Sequence, residues 1–374
     1  MIYADNAATT KLDNDAFEAM KYFLTEDYGN ASQPYSYARN AKRALREARA
    51  TIAKCIGALP EEIYFTAGGT ESNNWAIKSL PDKDEQFAVA TSDIEHHAVL
   101  NACAAIERTG KSVKYLPVDR EGVVAGTDLE NALTNTVKLV SIMLVNNEIG
   151  TIEPVSKLAG IAHKHGALFH TDAVQAVGHI PVNVKKLGVD MLSASGHKFN
   201  APKGVGFLYI KKGLEIYPYA DGGAQESGLR AGTENIASIV AMAVALKNNC
   251  QQMAATEERL LDIEQSFLQT LNDAGLNYIR NGAYKHVPGN INVSFKNADG
   301  EMLLHRLDLK GICISTGSAC DSKNTKVSHV IKAIDVPEEY AKGTVRISFG
   351  RYNTEQEAVK VATAIVAILR GAET

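Results

Sequence analysis

Met191-Leu-Ser-Ala-Ser-Gly-His-Lys198 is an apolar run that ends on a lysine, with a serine and a histidine within three residues of it. Such a lysine condenses with an aldehyde once it loses its proton, and the serine and histidine can hold a phosphate group. A second apolar run, residues 167–169, ends in His170-Thr171-Asp172, whose carboxylate can keep a ring nitrogen protonated. An amine, a carboxylate and phosphate ligands are what a protein must offer to pyridoxal 5'-phosphate (PLP). The two runs therefore predict a PLP site.

Apolar strands and amphipathic helices alternate around these runs. The clearest helix, Tyr37 to Ile56, carries apolar residues at steps of three and four and stops at Gly57. Strands are predicted at 63–65, 86–90, 113–116, 139–145, 167–169, 191–193 and 205–210. This alternation predicts an α/β fold with a mostly parallel sheet that is covered on both faces. In such sheets ligands bind at the carboxyl ends of the strands, where the chain places Thr70, His96, Asn147, Asp172 and Lys198.

The rest of the chain predicts a second, smaller α+β domain. A long helical stretch from about Asn235 to Leu271 leads to half-exposed strands at 291–295 and 344–349. A capping box at Thr354–Glu357 opens the final helix. We predict a large domain over residues 14–255 and a small domain formed by residues 1–13 and 256–374.

Composition excludes several classes of protein. A chain of 374 residues with 45% hydrophobic residues can bury a sizeable core. A net charge of -4, without a basic tract, argues against direct binding of nucleic acid. No apolar run approaches membrane-spanning length, and the first residues do not resemble a signal peptide, so we expect no membrane partner. Five cysteines without a Cys-x-x-Cys pair predict a reducing, cytoplasmic location, with no disulfide framework and no cysteine metal site.

Several residues near the lysine are candidate cofactor ligands. Gly68-Gly69-Thr70 opens a helix, so backbone N–H groups, the helix dipole and a hydroxyl all favour an anion there. Ser195 and His197 support the same phosphate site. Gln175 either bonds the ring hydroxyl or is an ordinary surface glutamine. His96 either caps a helix or stacks on the cofactor and moves protons.

Two residues of the predicted small domain each have a structural and a functional interpretation. Cys320 lies in a run of small residues, 315–322, which predicts a loop; there it is either an inert thiol or a nucleophile. Cys313, within an apolar strand, is predicted to be inert. Arg346 either grips a substrate carboxylate with two hydrogen bonds or forms a structural salt bridge.

Nine short segments together resemble the cysteine desulfurases of the nitrogen-fixation and iron–sulfur-cluster type, which are fold-type I PLP enzymes. They are residues 3–10 (YADNAATT), 69–74 (GTESNN), 95–98 (EHHA), 145–150 (VNNEIG), 170–175 (HTDAVQ), 195–198 (SGHK), 230–233 (RAGT), 317–320 (GSAC) and 346–351 (RISFGR). The resemblance covers essentially the whole chain. It implies a fold-type I transferase whose large domain has a mostly parallel, seven-stranded sheet.

The resemblance also implies a role for each candidate cofactor ligand. Lys198 would carry the Schiff base and shuttle a proton, while Asp172 and Gln175 hold the ring and His96 stacks over it. The implied phosphate ligands are Gly69, Thr70, Ser195 and His197, with Thr233 coming from the other subunit of a homodimer.

The implied substrate is L-cysteine, held through its carboxylate by Asn147 and Arg346. Cys320 would take its sulfur, leaving alanine and a persulfide on Cys320. That sulfur would pass to an acceptor protein for iron–sulfur cluster assembly or tRNA thiolation. The catalytic residues would then be Lys198, His96 and Cys320.

Three departures from the family pattern bear on these expectations. Gly29-Asn-Ala-Ser-Gln-Pro-Tyr35 replaces a Gly-Asn-Pro segment with a nearby histidine, and Asp321 follows the cysteine where serine or threonine is common. The chain also stops at Thr374, without the extension that some members use to dock a cluster scaffold. Alternatives are a selenocysteine lyase, a small-substrate aminotransferase, or a non-catalytic assembly protein. The last would be expected to lack Lys198, Asp172 or Cys320.

Overall fold

The computed structural model describes residues 1–80, 87–316 and 327–371. Its strands are Ile2–Tyr3 (β1), Ile63–Thr66 (β2), Ala88–Ser92 (β3), Ser112–Leu116 (β4), Val137–Ser141 (β5), Leu168–Asp172 (β6), Met191–Ser195 (β7), Gly206–Ile210 (β8), Tyr278–Asn281 (β9), Asn290–Phe295 (β10), Ile312–Cys313 (β11) and Thr344–Ser348 (β12). Its helices are Asn14–Thr25 (α1), Arg39–Ile56 (α2), Gly69–Lys78 (α3), His97–Glu107 (α4), Gly126–Ala132 (α5), Val155–Lys164 (α6), Val184–Leu187 (α7), Ile236–Asp273 (α8), Gly300–Leu309 (α9), His329–Ala333 (α10), Glu338–Ala341 (α11) and Glu355–Leu369 (α12).

The main sheet has seven strands in the order β2-β8-β7-β6-β5-β3-β4. Strands β7, β6, β5, β3 and β4 are parallel to one another, whereas β8 runs antiparallel to both of its neighbours. Alternate residues pack on opposite faces: Ala88 and Ala90 of β3 join one apolar cluster, and Val89 joins another. In β8, Phe207 and Leu208 divide in the same way. Both faces are therefore covered, which confirms the predicted α/β sheet.

A smaller antiparallel sheet, in the order β12-β10-β9, forms the second apolar core. That core combines Ala4 with residues from Leu260 to Ile368, while the first core runs from Ala16 to Leu246 and adds Val287. Helix α8 is continuous through both cores. The predicted domain boundary near residue 255 falls between the two sets on α8, and it stays a prediction.

Local signals explain where the helices begin and end. Gly57 ends α2 with a φ of 71°, a left-handed conformation that favours glycine. Thr354 and Glu357 form the expected capping box of α12. Helix α1 was not predicted, although the Asp13 side chain caps it by accepting the Ala16 N–H. Within the three described ranges, no helix combines the length and apolar character that a membrane crossing requires.

Candidate active site

The candidate ligands follow the carboxyl ends of neighbouring strands in the main sheet. Strand β2 is followed by Gly69 and Thr70, β3 by His96, and β5 by Asn147. Strand β6 ends at Asp172, and β7 ends at Ser195 before a 3-10 turn that carries His197 and Lys198. Because parallel strands end at one edge, residues far apart in sequence meet there.

A cavity of about 210 Å³ lies at this edge. Nine of the predicted site residues line it: Gly69, Thr70, His96, Asn147, Asp172, Gln175, Ser195, His197 and Lys198. Four further residues that the sequence analysis did not predict also line it: Asn73, Met143, Val145 and Val174. The structure thus brings most of the predicted site together.

Lys198 is half-buried on the turn after β7, and its amine faces the N-terminal segment. Nζ donates hydrogen bonds to the carbonyl oxygens of Ala7 at 2.6 Å and Ala8 at 2.9 Å. The Gln175 amide nitrogen donates to the same Ala7 oxygen at 2.8 Å. The amine and the predicted ring ligand are therefore both oriented by residues 7–8.

The Asp172 carboxylate is buried and held from two sides. Its Oδ2 accepts a 2.6 Å hydrogen bond from Asn73 Nδ2, and its Oδ1 accepts from the Val174 N–H at 2.9 Å. Asn73 lies on α3, four residues after Gly69 and so on the same face of the helix. Asn73 lies in segment 69–74, which contributes to the family resemblance. Its contact with Asp172 was not predicted, because that contact depends on how α3 packs against β6.

The first turn of α3 forms the predicted phosphate end of the cavity. Gly68 has a φ of 149°, and a Cβ there would lie 3.4 Å from Ser195 Oγ. The first N–H groups of a helix have no acceptor inside it, so they can bind an anion. Thr70 is exposed and lines the cavity.

His197 completes this end as an uncharged ring. Burial lowers its pKa to about 4, helped by the charges of Lys198 and Lys203. Its Nδ1 lies 3.1 Å from Thr9 Oγ1. A neutral imidazole contributes a hydrogen bond to a phosphate rather than a charge.

His96 caps helix α4 with its ring. Nδ1 accepts the Ala98 N–H at 3.0 Å, so the ring hydrogen of the neutral form lies on Nε2. Burial lowers the His96 pKa, which keeps the ring neutral at pH 7. In this tautomer Nε2 can donate a hydrogen bond. The two interpretations from the sequence are compatible, because the cap uses one ring nitrogen and the cavity can use the other.

Arg346, on β12 of the smaller sheet, is buried. Nη1 donates to the Asn147 carbonyl oxygen and Nη2 to Asp5 Oδ1, at 2.8 and 2.7 Å. Its Nε is buried without a hydrogen-bond partner. The predicted salt bridge is therefore present with Asp5, yet a donor is left over. Asp5 was not predicted, because its partner lies 341 positions away.

Three predicted residues are not among the described residues that line the cavity, and the first of them is Arg346, which adjoins it through the Asn147 carbonyl. Thr233 is exposed and does not line it. Its segment is nevertheless tied to α3, because Arg230 pairs with Glu71 at 2.9 Å, one position after Thr70. Cys320 lies outside the described residues.

The residues that flank the Cys320 segment reach the site from two sides. Ser315 exchanges backbone hydrogen bonds with Arg346, at 2.7 and 3.1 Å. On the other side, His329 Nε2 lies 3.0 Å from the Glu95 carbonyl oxygen, next to His96. The His97 and His329 ring centres are 4.9 Å apart.

The donors in the cavity fit PLP. The first turn of α3, Ser195 and His197 suit a phosphate, buried Asp172 suits a protonated ring nitrogen, and Lys198 suits an aldehyde. Gly69 belongs to the fit, because a Cβ there would lie 2.6 Å from Val174 Cγ2 and would push into the cavity wall. A mostly parallel seven-stranded sheet with these groups at one edge defines the class of fold-type I PLP enzymes.

Comparison with known proteins places the chain more closely. The aminotransferase class-V family matches residues 2–361. A cysteine desulfurase IscS from Dictyoglomus turgidum is 49% identical over 95% of this chain and 91% of its own length. A solved NifS-like protein superposes with a TM-score of 0.93 at 37% identity, covering 99% of both chains. SspA, solved in complex with cysteine, gives 0.85 at 34% identity, covering 95% of this chain and 100% of its own.

The chain belongs to the class-V aminotransferase family. The predicted resemblance to cysteine desulfurases is confirmed, and with it the fold-type I architecture, the enzyme class and the dependence on PLP.

Proposed function

We propose that this enzyme removes the sulfur of L-cysteine and holds it as a persulfide on Cys320. One observation carries the proposal: the lysine and the buried carboxylate line one cavity, and Arg346, which has a spare donor, holds the carbonyl of cavity residue Asn147 and is bonded to Ser315, just before the Cys320 segment. Relatives named cysteine desulfurases and a neighbour solved with cysteine support the same assignment.

The residues of the cavity divide into cofactor and substrate ligands. When bound, PLP supplies an electron sink that makes bonds near the substrate amine labile. Lys198 would hold its aldehyde and Asp172 its ring nitrogen, and Gln175 would bond its ring hydroxyl. The phosphate ligands are Gly69, Thr70, Ser195 and His197, with Thr233 from a second subunit.

Arg346 and Asn147 orient the substrate. Nε of Arg346 is the donor without a partner, and it can meet one oxygen of the cysteine carboxylate. Asp5 and the Asn147 carbonyl fix the guanidinium plane, so the arginine needs little reordering when substrate binds. This placement selects an amino acid over an amine.

Proton movement falls to Lys198 and His96. Nζ of Lys198 would move a proton at the substrate Cα, where its amine can act as the general base. His96 aids that transfer by donating a hydrogen bond from Nε2, the ring nitrogen that the helix cap leaves available.

The thiolate of Cys320 takes the sulfur of the substrate. A bond forms between its sulfur and the substrate sulfur while the substrate carbon–sulfur bond breaks, and a proton is added to that carbon. One L-cysteine and one thiol thus give one L-alanine and one persulfide, so the step needs no external oxidant or reductant.

The proposal also covers the oligomeric state of the enzyme, its sulfur acceptor and its location. A homodimer is supported by the stretch from Phe17 to Tyr37, which exposes six large apolar side chains. An acceptor protein takes the persulfide sulfur for iron–sulfur cluster assembly or tRNA thiolation. A cytoplasmic location suits a reactive thiol, and Cys55, Cys103, Cys250 and Cys313 are all free.

A cysteine exchange tests the proposal. Cys320→Ala should retain the visible absorbance of the PLP-loaded protein while sulfide release from L-cysteine with a reductant falls by at least about a hundredfold. Cys313→Ala is the matched control, a second cysteine of the same region, and should stay near wild type. Full activity in Cys320→Ala would remove the persulfide step from this enzyme.

A further inference from the structure

The turn that carries Lys198 is held by its backbone carbonyls. Four consecutive carbonyl oxygens, from His197 to Asn200, each accept a hydrogen bond from a different residue. The donors, in order, are Thr10 Oγ1 at 2.8 Å, His179 Nε2 at 2.8 Å, Asn249 Nδ2 at 3.0 Å and the Asp13 N–H at 2.9 Å. We call these four donors the carbonyl clamp.

The clamped turn has little freedom to move. Asn200 has a φ of 65°, a left-handed conformation that a non-glycine residue holds only under constraint. Phe199 is fully buried. A Cβ at Gly178 would lie 2.7 Å from the Phe199 Cβ, so the segment before His179 is in close contact with the turn.

His179 supplies the donor to Lys198 itself. A carbonyl oxygen only accepts, so Nε2 carries the hydrogen. Loss of solvation lowers the His179 pKa, which keeps the ring in the neutral form. The residue lines a small cavity of about 60 Å³, and Gln175 lines both this cavity and the PLP cavity.

Asn249 links the turn to the rest of the molecule. Its Nδ2 also lies 3.3 Å from Asn200 Oδ1, and its Oδ1 accepts from Arg351 Nη1 at 2.9 Å. Arg351 in turn pairs with Asp13, the residue that caps α1. Helix α8, the segment after β12 and the start of α1 therefore all meet behind the lysine.

We propose that His179, supported by Asn249, is a positioning residue that fixes the Lys198 backbone so that Nζ reaches the cofactor aldehyde. The proposal rests on the proposed role of Lys198. A lysine side chain has four rotatable bonds, so the position of its Cα limits how often Nζ is in place. Without the ring donor, the Lys198 carbonyl is left without that hydrogen bond and the turn relaxes.

Three variants test the proposal by PLP binding rather than by turnover. His179→Leu removes the donor, and His179→Gln keeps one, because an amide N–H can reach the same oxygen. His163→Leu is the matched control: it removes a 2.7 Å bond from a ring to Asp190, at the opposite end of β7. Apoprotein is titrated with PLP, and the rise in visible absorbance gives the Kd for PLP. A pH titration of the loaded protein gives the pH midpoint of that absorbance.

We expect His179→Leu to raise the PLP Kd by about tenfold and to shift the pH midpoint of the absorbance. His179→Gln should restore both to within about twofold. His163→Leu should leave both unchanged. Wild-type binding by His179→Leu, no rescue by glutamine, or equal loss in His163→Leu would each overturn the proposal.

A fourth variant separates this proposal from the proposed function. Lys198→Ala should lose the visible absorbance, and its retention would overturn the role of Lys198 and the clamp together. If Lys198→Ala loses the absorbance while His179→Leu binds normally, only the positioning role fails.

Discussion

Asn73 and Asp172 show how a buried charge is made useful. The carboxylate has little contact with solvent, so its stability depends on the Asn73 amide and the Val174 N–H. Both donors are neutral, which leaves the negative charge available for a cofactor ring nitrogen. A lysine in place of Asn73 would satisfy Asp172 internally and compete with the cofactor.

His170 is the residue whose titration should be easiest to detect. It lies fully buried on β6 between Ser141 and Ser193, with ring–hydroxyl distances of 2.8 and 2.9 Å. Burial lowers its pKa from 6.5 to about 3. Between those values the unfolded chain binds a proton that the folded chain does not. Folding stability should therefore fall as pH decreases below 6.5, by about 1.4 kcal/mol per pH unit for this residue.

His170→Gln should reduce this acid sensitivity, because glutamine can bond both serines and does not titrate. The difference in free energy of unfolding between pH 7.5 and pH 5, measured with urea, should shrink by about 2 kcal/mol. His165→Gln, an exposed histidine, is the control. An unchanged pH dependence in His170→Gln would show that the ring is charged or accessible in the folded state.

At the scale of single residues, the sequence predicted which side chains have suitable chemistry better than it predicted which side chains contact one another. Lys198, Asp172 and Ser195 were predicted because their types and strand-end positions are chemically specific. Asn73 and Asp5 were not singled out, because each acts through a partner about a hundred or more positions away. Such pairs follow from the packing of elements, which one sequence does not specify.

At the scale of elements, β8 packs closely against the turn that starts α3, and this contact shapes the phosphate end of the cavity. A Cβ on Gly206 would lie 2.5 Å from the Ala194 carbonyl oxygen and 2.7 Å from the Gly68 Cα. Both atoms are backbone, so neither can rotate away. The strand and the helix turn meet closely only because residue 206 has no side chain.

Gly206→Ala should destabilise the protein by about 2 kcal/mol and weaken PLP binding, because the Gly68 turn must shift. Gly160→Ala is the matched control. Gly160 lies within α6, and a Cβ there meets nothing within 4 Å. That change should stabilise by roughly 0.5–1 kcal/mol, since alanine favours helix. Urea unfolding of both variants checks the opposite signs, and a neutral Gly206→Ala would contradict the close approach.

Element prediction succeeded where periodicity and caps agree. The long helix expected near 235–271 is α8, residues 236–273, and the final capping box is where it was expected. Helix α3 begins at Gly69, inside the glycine turn that was expected to open a helix, so the turn is itself part of the first helical turn. The sequence did not predict helix α1 because its buried face is narrow, with Ala16 its only fully buried residue.

At the scale of the whole molecule, Thr233 raises the question of how many chains build one site. It is exposed and outside the cavity, while the Arg230–Glu71 pair holds its segment close to the start of α3. A hydroxyl that is exposed in one chain can reach the phosphate site of another across a two-fold axis. The exposed aromatic stretch from Phe17 to Tyr37 offers the kind of surface that a dimer covers.

Subunit complementation tests directly whether Thr233 of one chain serves the site of the other. Lys198→Ala should lose the visible absorbance of bound PLP, and Thr233→Ala should bind PLP about tenfold more weakly, through loss of a hydrogen bond to a charged group. A heterodimer of the two, isolated with two affinity tags, would contain one site with intact Lys198 from one chain and intact Thr233 from the other. We expect wild-type affinity at half the sites. If Thr233 acted within its own chain, the heterodimer would contain no site with both residues, and the absorbance would show only the weak affinity. A chain that stays monomeric would exclude the shared site altogether.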